Sequence, residues 1–224
     1  MPADPAGPHD GAPRVRPRRL ARAVRWSARL HEGQVRKGSG GPYVAHPLGV
    51  AALVLDHGGT EAEAIAALLH DAVEDAGVDI DEVRDRFGAT VARIVEGCTD
   101  VPVRSGRGRR RRVHDRGAAT WWKRRRRSLR HLADPSTSES VVRVKAADLL
   151  WNVRSITAEL RRRGPEVWAE FHAGAADQLW YHRSMSNVVS RRLPGRLADE
   201  LRAAVGELER VAGWWFDVGD PQEG

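Results

Sequence analysis

The pairs His70-Asp71 and Glu74-Asp75 stand about one helical turn apart, directly after the apolar run Ile65 to Leu69. Thr60 and Glu63 have the spacing of a capping box, which places a helix start at Glu61. At about 100° per residue, with His70 at zero, Glu74 falls near 40°, Asp71 near 100° and Asp75 near 140°. Leu68, Ala72, Ile65, Leu69, Val73 and Ala66 fill the arc from about 160° to 320°. Four titratable groups therefore share one face of a segment whose other face is built for burial. A solvated polar face is the common use of such carboxylates. Here the polar arc begins abruptly inside a buried stretch.

A second carboxylate has similar surroundings. Asp148 sits in Lys145-Ala-Ala-Asp-Leu-Leu-Trp-Asn152, between apolar neighbours, and shares a stripe with Lys145, Asn152 and Ser155. Val142, Leu149, Val153, Ile156 and Leu160 make the opposite, core-facing stripe. A buried charge needs a cation or hydrogen-bonding partners. An ion pair with Lys145 or Arg154 is one way to meet that need, and a metal ion is another. His46 precedes Pro47, a residue suited to the first turn of a helix. Alone it reads as a capping or packing histidine. Taken together, His46, His70, Asp71 and Asp148 are two imidazoles and two carboxylates, a suitable donor set for one Mn²⁺, Fe²⁺ or Zn²⁺ that leaves positions for water and a phosphate.

The elements that must position these groups read as helices throughout. Apolar spacing predicts helices near 18–33, 45–57, 61–76, 79–87, 89–98, 117–132, 138–163, 174–191 and 196–212, and no stretch alternates like a strand. Gly38 to Pro42, Gly58-Gly59, Gly88, Pro135, Gly164-Pro165 and Pro194-Gly195 separate them. The expected organisation is a disordered lead-in over 1–17, one all-α domain over 18–192, a C-terminal helix over 193–216 and a disordered tail over 217–224. Inside the domain, 104–116 reads as a basic loop. The 224 residues suffice for one domain with a real core, at 41% hydrophobic residues.

Lys and Arg number 37 against 30 Asp and Glu, a formal charge of +7 that favours polyanionic ligands without choosing among them. Cys98 is the single cysteine, so an internal disulfide and a cysteine-based zinc cluster are both excluded. No apolar run approaches the roughly 20 residues of a membrane span, and the N-terminus lacks the apolar core of a signal peptide. A cytoplasmic protein is expected.

The motifs, in order, resemble those of the RelA/SpoT-type alarmone hydrolases of the HD class. His31 to Leu48, with Gln34, Arg36-Lys37-Gly38-Ser39-Gly40, Pro42-Tyr43 and His46-Pro47-Leu48, is similar to the opening motif of that domain. Ala66-Ala-Leu-Leu-His-Asp, Glu74-Asp75, Phe87-Gly88, Val95 to Asp100, Val144 to Asn152 and Gln178-Leu-Trp-Tyr-His-Arg183 follow in the same sequence. Gly41 and Leu149 depart from the pattern, and the Arg-rich stretch 104–116 is no part of it. The resemblance implies an all-α HD-domain bundle that removes the 3′-pyrophosphate of (p)ppGpp, with Mn²⁺. By motif position it implies His46, His70, Asp71 and Asp148 as metal ligands and Glu74 and Asp75 as the pair that activates water. Arg36, Lys37, Ser39 and Asn152 fall at substrate-contacting positions. At this length, hydrolysis without synthesis is implied.

Two other readings compete. An HD phosphohydrolase could act on another nucleotide, such as the 2′-phosphate of NADPH, with the same metal site. The runs Arg104–Arg112 and Lys123–Arg127, around Trp121-Trp122, could instead bind nucleic acid, although such runs more often make a solvated face. Cys98 reads as a small core residue, and Trp214-Trp215 as core or an oligomer contact.

Overall fold

A computed structural model describes residues 15–36, 38–99 and 118–218, with the side chains of 118, 119 and 214–218 outside that description. Lys37, Asp100, the stretch 104–116, residues 1–14, the tail from 219 and the side chains of Trp214 and Trp215 thus lie outside the described residues.

The described chain is all-α, with a single isolated antiparallel bridge between Val35 and Pro42. Its helices are α1 (Pro17–Leu30), α2 (Ala45–Asp56), α3 (Glu61–Leu69), α4 (Ala72–Asp75), α5 (Ile80–Cys98), α6 (Ala118–Ala133), α7 (Glu139–Arg163), α8 (Ala175–Arg192) and α9 (Arg196–Val218). A 3-10 helix over Gly164–Glu170, absent from the sequence-based expectation, joins α7 to the α8 approach. Gly164 at φ 73° ends α7 there.

Local signals explain the boundaries. Thr60 and Glu63 form the capping box, with the Glu63 N–H donating to Thr60 Oγ1 at 3.3 Å and the Thr60 N–H donating to Glu63 Oε2 at 2.6 Å. Ser138 caps α7 by accepting from the Val141 N–H, so the β-branched run Val141 to Val144 enters a helix. Gly88 breaks α5 as expected, with φ 84° and ψ 166°, though the two halves run on as one bent element. One expectation needs correction. The helix predicted over 61–76 is interrupted at His70-Asp71, where Asp71 has φ −94° and ψ −5°, and the ladder restarts when the Asp75 N–H donates to the Asp71 carbonyl at 2.7 Å.

The central element is α7, which packs against α2, α3, α5, α8 and α9. Val142, Val153 and Leu160 are fully buried along it, with Leu149 and Ile156 nearly so. This is the stripe expected opposite Asp148. Arg154 turns away to Glu200 of α9 at 2.8 Å, which removes it as a partner for Asp148. The α2–α7 contact is very close at Gly49, where an added Cβ would lie 2.1 Å from the Trp151 ring. Gly49→Ala should therefore lower stability by about 1–3 kcal/mol through overpacking, read as a fall in the urea midpoint. An unchanged midpoint would show that the ring yields freely.

Candidate metal and phosphate site

Three elements bring the histidines and carboxylates together. His46 lies in the first turn of α2, His70 and Asp71 at the α3–α4 break, and Asp148 in the middle of α7. His46 Nε2 stands 3.2 Å from His70 Nε2, 3.3 Å from Asp148 Oδ1 and 3.4 Å from Asp71 Oδ2. His70 Nε2 stands 3.1 Å from Asp71 Oδ2 and 3.6 Å from Asp148 Oδ1. Both imidazoles are buried.

The electrostatics follow from that crowding. Burial opposes a charged imidazole, but hydrogen bonds with Asp148 and Asp71 outweigh it and raise the pKa of His46. For His70 burial is overcome by the Asp71 charge and the Asp148 contact, and its pKa is raised well above the usual value. Burial likewise opposes the charge of Asp71 and Asp148, yet the two imidazoles hold both carboxyls well below their ordinary range. The cluster is thus a place that demands positive charge.

A cation meets that demand with the donors as they stand. Ligands about 2.1 Å from an ion lie about 3.0–3.4 Å apart at octahedral or tetrahedral angles. The donor atoms of His46, His70 and Asp148 all fall within 4.8 Å of one another, and Asp71 joins through its two imidazole contacts. The ring orientation fits too. His70 Nδ1 lies 2.7 Å from the Ala67 carbonyl, so its N–H is used there and Nε2 keeps a lone pair for the cluster.

Around this floor lies a cleft of about 910 Å³. Glu74 and Asp75 reach it from α4, and Arg36 and Ser39 from the loop before α2. Asn152, expected on the substrate side, lines the cleft beside Asp148. Its amide donates to Asp148 Oδ1 at 2.7 Å while its oxygen accepts from Arg36 at 3.4 Å, so it links the loop to the cluster. Burial lowers the pKa of Arg36, partly offset by Tyr43, Asp148 and Asp71. Lys145 also lines the cleft, as its place on the Asp148 stripe suggests.

Sequence reasoning quoted several cleft residues without giving them a role. The Tyr43 hydroxyl donates to Asp71 Oδ2 at 2.6 Å and lies 3.2 Å from Asp75 Oδ2, tying a cluster carboxylate to the second acidic pair. Gln178, Tyr181 and His182 reach the cleft wall from α8, and their i, i+3, i+4 spacing was the available signal. Burial and the Arg125 charge push His182 down to about 4. The run Lys123–Arg127 proves to be divided. Trp121, Arg124 and Arg125 line the cleft, whereas Lys123, Arg126 and Arg127 are exposed. Cys98, at the end of α5, is buried against the cleft and its thiol is pushed up to about 12 by burial.

The HD-domain family model matches residues 23–178. The chain belongs to the HD-domain family. Among its relatives is the guanosine-3′,5′-bis(diphosphate) 3′-pyrophosphohydrolase MESH1 of Danio rerio, 39% identical over 154 residues that cover 67% of this chain and 73% of that protein. The Homo sapiens protein of the same name is 37% identical over the same length, covering 67% and 74%. The solved structure of lmo0812 from Listeria monocytogenes is 27% identical with a TM-score of 0.56, covering 77% of this chain and 99% of that one. A metazoan SpoT orthologue at 23% identity and a TM-score of 0.58, covering 91% and 97%, shares the fold. HD domains depend on a divalent metal, and the His/Asp cluster is where this HD domain could hold it.

The loop that carries Arg36 is gripped at Gly38. Its N–H donates to Glu170 Oε2 at 2.5 Å, its carbonyl accepts from Arg163 at 3.1 Å, and Arg163 closes the set on Glu170 Oε1 at 2.5 Å. Glu170→Ala removes a charge-assisted acceptor, so amide exchange at Gly38 should speed by about tenfold or more while α7 stays protected. Unchanged exchange at Gly38 would mean the loop is held by other contacts.

Proposed function

We propose that this HD domain hydrolyses (p)ppGpp at the 3′ position, giving GDP or GTP and pyrophosphate. One observation carries the reading. Four donors that demand a cation lie on the floor of a cleft with basic walls, in a chain 39% identical over 154 residues to a protein named for that reaction.

In this reading His46, His70, Asp71 and Asp148 hold one divalent ion, Mn²⁺ by family resemblance. When bound, such an ion supplies Lewis acidity toward phosphate and lowers the pKa of a water. The remaining work falls to side chains. Glu74 and Asp75 orient the attacking water and take its proton, and the Tyr43 hydroxyl holds the Asp75 carboxylate in place for that task. Water adds to the 3′-linked phosphorus, and the bond to the ribose 3′-oxygen breaks as that oxygen takes up a proton. Arg36, Lys37 and Ser39 contact the nucleotide phosphates. Asn152 keeps Asp148 and Arg36 in register.

The test is pyrophosphate release from ppGpp and pppGpp with Mn²⁺ present, alongside NADPH and simple nucleoside monophosphates. Turnover of the two alarmones should dominate. Dominant phosphate release from NADPH would replace the substrate while keeping the site. Asp148→Asn and His70→Ala should each lose bound metal by elemental analysis and lose hydrolysis, with helical circular dichroism retained. Full metal occupancy in both would refute the ligand assignment. Glu74→Gln should keep its metal and lower kcat by roughly 10²-fold. If its metal goes too, Glu74 is a ligand.

A further inference from the structure

The outward side of α6 is the second feature of this molecule that points to a ligand. Over Ala118–Ala133 the helix carries Lys123, Arg124, Arg125, Arg126, Arg127 and Arg130, and no Asp or Glu. The cleft takes Arg124 and Arg125, which leaves Lys123, Arg126, Arg127 and Arg130 exposed. Among these cations stands Trp122, 36% exposed, beside Trp180 of α8, 37% exposed. Neither indole lines the cleft.

The two rings touch at an angle and form one bent aromatic patch. Their centroids are 4.6 Å apart with planes at 46°. The Arg126 guanidinium lies 5.3 Å from the Trp122 centroid. Trp122 is held from beneath by buried Trp121, edge-on at 5.1 Å and 85°, and Trp121 in turn meets Tyr181 at 6.2 Å. Trp180, next to Tyr181 in the chain, is fixed by the same helix. A paired, partly exposed indole patch on a buried aromatic support loses little freedom when a base packs against it.

Exposed arginines alone mean little, and so does a half-exposed tryptophan. Their combination is specific in its chemistry. Indole faces stack on nucleobases in any sequence, and guanidinium groups beside them meet the phosphates between bases. A duplex hides its base faces, so the matching ligand is an open strand.

We propose that the Trp122–Trp180 surface, with Arg126, Arg127 and Arg130, binds single-stranded nucleic acid. The site is separate from the hydrolytic cleft and does not depend on what the cleft hydrolyses. Trp121 and Arg125, on the same helix, give the strand site and the cleft a common wall.

The test uses the full chain and fluorescence anisotropy with oligo-U and oligo-dT of about 20 nucleotides, enough to exceed a stacking site. A duplex of equal length, inorganic polyphosphate and poly-glutamate serve as competitors. Single strands should bind, RNA and DNA both counting as the stated chemistry. Trp122→Ala and Trp180→Ala should each weaken binding by about tenfold, with Trp122→Phe recovering part of it. The Arg126→Ala, Arg127→Ala double variant should flatten the salt dependence. Metal content and circular dichroism of all these variants should match the parent, which separates lost contact from lost fold.

Four results would overturn the proposal. One is tryptophan variants that bind as the parent does. A second is polyphosphate or duplex competing as well as the single strand, which marks a surface of charge alone. A third is poly-glutamate competing equally, which marks an acidic protein partner. The last is loss of binding in Arg36→Ala, a change in the cleft loop away from α6, which puts the strand in the cleft instead.

Discussion

Everything in this fold answers to one electrostatic constraint, two imidazoles and two carboxylates held about a water's width apart with little solvent between them. Each group taken singly would be costly to bury. Together they are tolerable only if positive charge sits among them, as protons on the rings or as a cation, and only if no helix drifts. The rigidity comes from ordinary packing. α7 is clamped on several sides, the Trp151 ring seats α2 at Gly49, and the Ala67 carbonyl fixes the His70 ring. The donors come from sequence positions about a hundred residues apart, so the core is what gives the cluster its geometry.

Much of this was legible beforehand, and the reasons are local. Thr60 and Glu63 announce a helix start that the structure keeps, because a capping box satisfies backbone donors within four residues. The Asp148 stripe is readable because helical periodicity alone separates Asp148, Asn152 and Ser155 from Val142, Val153 and Leu160. The break at His70-Asp71 is different. Nothing in Leu69-His70-Asp71-Ala72 is a helix breaker, and the departure is a modest one at Asp71 that tertiary contacts of both side chains sustain. Asn152 shows the same limit, since its bridge between Arg36 and Asp148 spans segments that no local rule relates.

The arginine run 124–127 shows why composition reads poorly. Consecutive helical residues point about 100° apart, so a run of one residue type is divided among environments by the helix itself. Two guanidiniums become cleft wall, with Arg125 against Trp121 and Tyr181, and two remain outside. The same rotation sends Trp121 inward and Trp122 outward. Charge counted along the chain says little until the helix has sorted it.

Cys98 carries a practical consequence. Burial hides its sulfur and raises the pKa of its thiol, and the accessible thiolate is the species that alkylating and disulfide reagents attack. It is also the chain's single cysteine. Toward a maleimide dye or a nitroxide label the folded protein should therefore react far more slowly than a protein with a surface cysteine. One cysteine introduced at a chosen surface position would take the probe cleanly, so distances and motions between helices are open to spectroscopy without first constructing a cysteine-free background.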